Sequence, residues 1–257
     1  MTRLSSKSFR AEGIVVGKKS FFEADRIVEI FTLEKGKIRA IVKSARKPKS
    51  KLAGVTEIFT HGEFTLAKGK NLDIVMAVTP LDYFQKAAGD LNKISLLFFI
   101  SETLEKLLPR EVPNEKIFEE TLGVFRVINR TDKAYVAYEY LYKLVVLLGY
   151  GLSLLVCSKC HKKTESLSEK NNALNLASGG ILCKKCSSGS ADSTNLSAST
   201  IKLLKYIETH DFPDYSKVKF NDNAQKEIAG LVTSYLNHIY QKELKSPGFI
   251  KSIKALK

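Results

Sequence analysis

Alternating apolar and polar residues mark the first eighty positions as a series of β-strands. The pattern runs through five segments, at residues 12–18, 26–32, 38–43, 55–66 and 72–78. In the third segment the even-numbered positions are aliphatic, whereas Arg39 and Lys43 lie on the other face. Short turns separate the strands, and Pro80 is expected to close the series. We therefore predict a small closed barrel over residues 1–80. The OB-fold is the commonest barrel of this kind, although an SH3-like barrel has a similar pattern.

Apolar residues recur at helical spacing after residue 81. The predicted helices cover 92–108, 114–125, 133–148, 199–209 and 222–244. Asn114 can cap the second of them, and the serine- and glycine-rich stretch 187–199 is predicted to be a linker. The predicted fold class is therefore α+β and multidomain. The five-stranded OB-fold barrel is followed by an all-α domain over residues 81–156 and 196–257, which carries an insertion at residues 157–195.

The insertion contains all four cysteines of the chain, in two Cys-x-x-Cys pairs. Cys157 and Cys160 form the first pair, and Cys183 and Cys186 form the second. Each pair can place two sulfurs on one metal, and four thiolates complete a closed tetrahedral shell that is typical of one structural zinc ion. Two disulfides or a redox dithiol are the alternatives. Disulfides need an oxidising compartment, and the first ten residues do not resemble a signal peptide, so zinc is favoured.

The charge of the chain indicates a polyanionic partner. Forty-one lysines and arginines oppose 27 aspartates and glutamates, which leaves a net charge of +14. Such an excess favours nucleic acid above other partners. The cations are concentrated at residues 43–51, where five occur in nine positions without an acid. Pro48 and two serines in this segment predict a mobile basic loop.

Two kinds of enzyme and a membrane location are disfavoured by the sequence. The phosphate-binding loop motif Gly-x-x-x-x-Gly-Lys-Ser/Thr is absent, and neither Cys-x-x-Cys pair follows the proline that precedes it in zinc deaminases. The longest apolar runs are too short to cross a bilayer. We therefore expect a cytoplasmic protein that is not an enzyme.

Four stretches, in order along almost the whole chain, resemble the RecO family of bacterial recombination mediators. They are residues 23–46, 100–108, 148–160 and 244–246. Each stretch is loose by itself, but the ordered set is specific. Two departures are visible: Ser44 stands where the family usually has glycine, and the proline that often follows Leu148-Gly-Tyr-Gly is missing.

The resemblance implies an N-terminal OB-fold barrel, a helical domain and an inserted four-cysteine zinc module. It also implies a role in DNA repair and homologous recombination. The family binds single- and double-stranded DNA, anneals complementary strands, and helps RecA load onto DNA coated with single-strand-binding protein, with RecR as the usual partner.

A mediator of this kind needs no catalytic group, because cations that release counterions from phosphates bind any sequence. We expect these cations on the third strand, on the basic loop and beside them: Arg26, Lys37, Arg39, Lys43, Arg46, Lys47, Lys49 and Lys51. Phe21 and Phe22 are the candidates for stacking on bases.

In the family the acidic tail of single-strand-binding protein docks on the helical domain. A receptor for that tail needs an apolar pocket with cations at its rim. The expected residues are Phe118, Leu122, Phe125, Arg126, Arg130 and Lys133. The alternative is that the apolar members are ordinary core and the cations a solvated helix face.

A second function class stays open. A zinc-ribbon protein that binds RNA or the ribosome would share the barrel, the charge and the zinc. A preference for folded RNA over single-stranded DNA would distinguish this alternative from the mediator.

Overall fold

The computed structural model describes residues 8–163, 172–190, 192–218 and 221–255. Residues 1–7 of the predicted first domain, residues 164–171 and 191 of the predicted insertion and linker, and residues 219–220 and 256–257 of the predicted last domain lie outside the described residues. The chain divides into two compact units. The first takes in the described residues up to Asp132 and those from Lys245 onward, and the second runs from Lys133 to Leu244. The four-part division expected from the sequence stays a prediction.

Five strands of the first unit close into a barrel in the order β1-β2-β3-β5-β4. The strands are β1 (Ser8–Phe21), β2 (Asp25–Thr32), β3 (Gly36–Val42), β4 (His61–Ala67) and β5 (Asp73–Asp82). All neighbours pair antiparallel except β3 and β5, which share a short parallel ladder. The predicted five-stranded, OB-like barrel is therefore confirmed.

The interior of the barrel follows from the alternation in the sequence. Val28 and Ile30 of β2 and Ala40 and Val42 of β3 are buried in its core, whereas Arg39 between the latter two is exposed. Successive side chains of a strand point to opposite faces, so one face fills the barrel and the other carries cations.

Two features of the predicted strands are wrong. The fourth strand begins at His61 rather than at residue 55, because Gly54–Thr56 forms a 3₁₀ turn. Pro80 lies inside β5, opposite Gly62, instead of ending the series. The β4–β5 ladder shifts register beside Gly62. A residue that donates no N–H is tolerated at such an irregularity.

The helices, in chain order, are α1 (Gln85–Ala88), α2 (Leu91–Leu107), α3 (Glu115–Arg130), α4 (Tyr135–Leu147), α5 (Lys184–Ser187), α6 (Ala198–Thr209), α7 (Asp214–Lys217), α8 (Asp222–Tyr240) and α9 (Lys245–Ala255). No helix in the described part of the chain is long and apolar enough to span a membrane.

Helices α1, α2, α3 and α9 belong to the first unit. The side chain of Asn114 caps α3 as predicted, accepting the N–H of Ile117 at 3.0 Å. Glu102 of α2 accepts the backbone N–H groups of Lys245 (2.9 Å) and Ser246 (2.8 Å), and also the Ser246 hydroxyl. A side chain from mid-chain thus caps the start of α9, which the sequence analysis did not predict.

The second unit contains α4 to α8 and a small sheet. The sheet has the order β7-β6-β8, with β6 (Asn172–Asn175), β7 (Gly180–Leu182) and β8 (Ser193–Leu196). Strand β8 lies within the segment predicted as a linker, so that prediction is wrong. Strand β8 forms because β6, distant in sequence, offers it a paired edge; local composition carries no sign of that partner.

Candidate nucleic-acid interface and metal centre

The basic loop, residues 43–51, is a succession of turns attached to the β1–β2 hairpin. The N–H of Arg46 donates to the carbonyl of Ala24 at 2.9 Å, and Asp25 accepts both the Lys43 ammonium and the Ser44 N–H. The hydrogen bond from Lys43, followed by that from Ser44, lowers the pKa of Asp25. Ser44 has φ 55°, a left-handed conformation that glycine adopts most readily. The glycine that the resemblance implies at this position would adopt this conformation without strain.

Six of the predicted DNA-contacting cations are exposed on β3 and the basic loop: Arg39, Lys43, Arg46, Lys47, Lys49 and Lys51. Arg39 pairs with Glu29, and Lys43 with Asp25. Among the described residues, no carboxylate forms an ion pair with the remaining four. We call Arg46, Lys47, Lys49 and Lys51 the loop cations. They are the predicted cations best placed to meet phosphates.

Lys37 does not face solvent, which corrects one predicted contact. Its side chain is almost fully buried, at 5% exposure, and its ammonium donates to the carbonyls of Leu104 and Glu105 in the last turn of α2. Burial lowers the pKa of Lys37. A cation at the negative end of a helix dipole is stabilising, so Lys37 fastens α2 to the barrel.

Arg26 is also poorly placed for phosphate. Only 16% of its side chain is exposed, and its guanidinium donates to Glu57 Oε1 at 2.9 Å. Glu57 also pairs with Lys18. Burial alone would raise the pKa of Glu57, but the hydrogen bonds from Lys18 and Arg26 bring it below its usual value. Arg26 therefore ties β2 to the segment that connects β3 and β4, and its charge already has a carboxylate partner.

The sequence analysis missed two lysines beside this surface. Lys18 and Lys19 line a cavity of about 290 Å³ together with Arg39, Glu29 and Glu105. Lys18 is neutralised by Glu57, whereas Lys19 is exposed. The adjacent lysines near the end of β1, which only Ser20 separates from two phenylalanines, were the signal that could have identified them.

The predicted pocket for an acidic tail is wrong. Phe118, Leu122 and Phe125 of α3 are all buried, and Phe118 packs edge-on against Phe31 of the barrel, with ring centroids 5.6 Å apart. Side chains inside the core cannot line a pocket that is open to solvent. The alternative reading, ordinary core beside a solvated cationic face, holds for this segment. All three predicted rim cations are exposed: Arg126, Arg130 and Lys133. Lys133 is the first residue of the second unit.

The four cysteines converge on one point of the second unit. All four are free thiols, and their sulfurs lie within 4.8 Å of one another. The Sγ atoms of Cys160 and Cys183 are 3.8 Å apart. A tetrahedral zinc with bonds of ~2.3 Å has sulfur–sulfur edges of about 3.8 Å. The thiol cluster therefore has the size and donor set of a four-thiolate metal site.

Backbone hydrogen bonds shape this thiol cluster. The N–H of His161 donates to the carbonyl of Cys157, and the N–H of Cys186 to that of Cys183, so each pair closes a tight turn. Burial alone would raise the pKa of Cys157, but backbone N–H groups of Cys183, Cys160 and Lys159 bring it down to about 6. In the same cluster the hydrogen bond with the Cys183 thiol, followed by burial, raises the pKa of Cys186 to about 12, so Cys157 loses its proton at a much lower pH than Cys186.

Five lysines surround the thiol cluster on the module surface, and all are exposed: Lys159, Lys162, Lys163, Lys184 and Lys185. They form a second basic surface in addition to the loop cations. The two surfaces belong to different units of the chain.

Comparison with known proteins identifies the class of protein to which this chain belongs. Residues 6–84 match the family model described as Recombination protein O N terminal, and residues 88–248 match Recombination protein O C terminal. The chain therefore belongs to the RecO family of DNA repair proteins, as its four motifs predicted.

Individual relatives agree over nearly the whole chain. The chain is 30% identical to the DNA repair protein RecO of Roseiflexus sp., across 98% of this chain and 88% of the relative. It is also 30% identical to the DNA repair protein RecO of Dehalococcoides mccartyi, across 95% and 96%. The protein of the same name from Desulfitobacterium hafniense is 27% identical, across 93% and 87%.

Proposed function

We propose that this chain is a recombination mediator of DNA repair. It binds single- and double-stranded DNA and anneals complementary strands. With RecR, it helps RecA load onto DNA coated with single-strand-binding protein. The activity takes place in the bacterial cytoplasm and requires positioning of strands rather than a catalytic group. Membership of the RecO family supports the repair role, and the surface of the barrel supports DNA as the ligand.

The loop cations are the observation that carries this proposal. Arg46, Lys47, Lys49 and Lys51 are exposed and, among the described residues, have no carboxylate in ion-pair contact. They stand on a loop that the Arg46–Ala24 and Asp25–Ser44 hydrogen bonds fasten to the barrel. An anchored cluster of unpaired cations binds a phosphate backbone with little loss of loop entropy, and counterion release drives the association.

The same chemistry accounts for the lack of sequence preference that annealing requires. Phosphates are identical in every nucleotide, so cations that contact only phosphates bind any pair of strands. By neutralising both strands, they lower the repulsion that opposes pairing. Arg39 and Lys43 extend this surface, but their own carboxylate partners weaken each of them.

We further propose that Cys157, Cys160, Cys183 and Cys186 hold one structural zinc ion. Four thiolates close the coordination shell and leave no position for a substrate, so the metal would stabilise the module rather than take part in chemistry. The module lysines around it offer a second contact with DNA.

Salt-dependent binding of labelled DNA tests the DNA-binding proposal. The variant in which all four loop cations are changed to glutamine should lose phosphate contacts, since these side chains are the exposed and unpaired ones. At ~0.7 per phosphate contact on a single strand, the slope of log affinity against log salt should fall by up to about 3. Fluorescence anisotropy with single-stranded DNA, duplex DNA and folded RNA measures the slopes and the preference.

A matched control removes the same charge elsewhere. Lys202, Lys226, Lys242 and Lys251 are exposed, and their replacement by glutamine should change the slope much less. An equal slope for the loop variant and the wild type would contradict the proposed site and favour the module lysines. A clear preference of the wild type for folded RNA would favour the RNA-binding alternative.

A further inference from the structure

The turn between β1 and β2 presents a large aromatic ring to solvent. Phe22 is 77% exposed, more than any other large apolar side chain among the described residues. Its backbone has φ 48°, in the left-handed region that residues with a side chain rarely adopt. Exposure of the ring and strain of the backbone both cost free energy in the unbound protein. Neither feature contributes to the barrel core.

The turn is held in this conformation by the basic loop. The guanidinium of Arg46 donates to the carbonyl of Phe22 at 3.2 Å, and the N–H of Arg46 donates to the carbonyl of Ala24. The ring of Phe21 supports Phe22 from one side, with centroids 4.3 Å apart. The exposed ring is therefore preorganised, and it is tied to one of the loop cations by a direct hydrogen bond.

The chemistry of the surroundings defines the ligand. Phe22 and Arg46 line a shallow depression together with Glu23, Ala24 and Asp25. The carboxylates make the depression itself unfavourable for a phosphate, whereas the cations beside it favour a polyanion. An unpaired nucleobase satisfies both conditions, since its ring stacks on Phe22 while its own phosphate reaches Arg46 and the lysines.

We propose that Phe22 is a stacking platform for one unpaired nucleobase, and that it makes the barrel bind single-stranded DNA more tightly than duplex DNA. In a duplex the faces of the bases are covered by their neighbours, so the ring gains no stacking partner. This inference rests on the proposed DNA-binding function and adds to it the residue that recognises unpaired bases.

Replacement of Phe22 by glycine gives a direct test. Glycine accepts φ 48° without strain, so Phe22→Gly should fold at least as stably as the wild type while it lacks the ring. We expect about a tenfold loss of affinity for a single strand, equivalent to about 1.4 kcal/mol. The salt slope and the duplex affinity should stay unchanged, and Phe22→Tyr should restore binding. Phe249→Gly, in which a 44% exposed ring on α9 is removed, serves as the control and should bind as the wild type does.

A spectroscopic measurement makes the test independent of affinity. The chain contains no tryptophan, so Phe22→Trp introduces a single reporter. Its fluorescence should be quenched by a normal single strand and much less by one with abasic positions.

The outcomes distinguish this inference from the function on which it rests. The platform is overturned if the glycine variant binds single strands within twofold of the wild type. It is also overturned if the variant loses as much affinity for duplex as for single strands. If the loop-cation variant loses affinity at the same time, DNA binding stands without it. If neither variant loses affinity, the platform fails and so does the assignment of DNA binding to the loop cations, which would favour the module lysines.

Discussion

The barrel and the cysteine module differ in what holds them together. The barrel core contains eleven buried residues that pack on one another, most of them aliphatic. Among the described residues, the module core contains only three, and one of these is the thiol-bearing Cys157 beside Ala173 and Leu182. Apolar burial of ~1.5–3 kcal/mol per large side chain stabilises the barrel. A core as small as that of the module supplies far less, so the module depends on its sulfurs.

The two units of the chain also differ in whether their buried charged groups have hydrogen-bond partners. In the first unit, the buried Lys37 donates to carbonyls at the end of α2. In the second unit, the buried Lys143 likewise donates to carbonyls of Ile207 and His210 at the end of α6. Glu139 of α4 differs, because neither carboxylate oxygen has a hydrogen-bond partner among the described residues. The second unit therefore carries both a thiol cluster and an unpaired buried acid.

The largest expected effect comes from removal of the metal. Replacement of Cys183 by serine should abolish binding of zinc and loosen the module, because structural zinc sites contribute an apparent ~10–16 kcal/mol. The barrel should be unaffected, since its core contains none of the metal-binding cysteines. Elemental analysis of the reduced protein gives the zinc content, and hydrogen exchange reports the two regions separately.

The matched control is His161→Ala, in which an exposed neighbour of Cys160 is changed. This variant should keep one zinc per chain. Absence of metal from the reduced wild type, or a full complement in the serine variant, would refute the four-thiolate site.

An intermediate effect is expected from Glu139 and depends on pH. Burial raises the pKa of Glu139 from 4.5 to about 8, with Lys133 opposing the shift. Between these two pH values the unfolded chain releases the proton and the folded protein retains it. Stability therefore falls as pH rises through this window, and it levels off above pH 8. Glu139→Gln should remove this fall in stability and raise the free energy of unfolding by ~3–5 kcal/mol at pH 8.

Urea denaturation at several pH values measures this difference. The exposed Glu243, changed to glutamine, provides the control and should leave the pH profile of the wild type in place. Parallel profiles for Glu139→Gln and the wild type would show that Glu139 is not buried in its neutral form.

The smallest effect concerns the point at which the chain returns to the first unit. Glu102→Ala removes the acceptor of two N–H groups at the start of α9 and should cost ~1–2 kcal/mol, as the loss of an N-cap does. Urea denaturation and hydrogen exchange of α9 measure this change. Glu119→Ala, at an exposed position of α3, should cost less than half a kcal/mol. If both variants are equally stable, the cap contributes nothing.

Local patterns in the sequence were enough to predict the five strands, the start of α3 and the four thiols of the cluster. The two Cys-x-x-Cys pairs predicted a four-thiol cluster because a tight turn decides the position of both sulfurs in each pair. Alternation predicted the five strands, and Asn114 predicted the start of α3, because each signal acts within a few residues. The exposure of the loop cations was also predictable, because the proline and serines between them favour a loop over a regular strand or helix.

Only the tertiary structure decided which of these residues face solvent and which distant segments meet. Lys37 and Lys47 are both lysines in a basic stretch of the sequence, yet Lys37 is buried because the end of α2 lies against it and its carbonyls accept hydrogen bonds from the ammonium. Phe118 lies within the core because Phe31 of the barrel covers it. Strand β8 and the Glu102 cap on α9 need partners from distant parts of the chain. Burial and long-range pairing depend on what packs against a residue, which local periodicity does not encode.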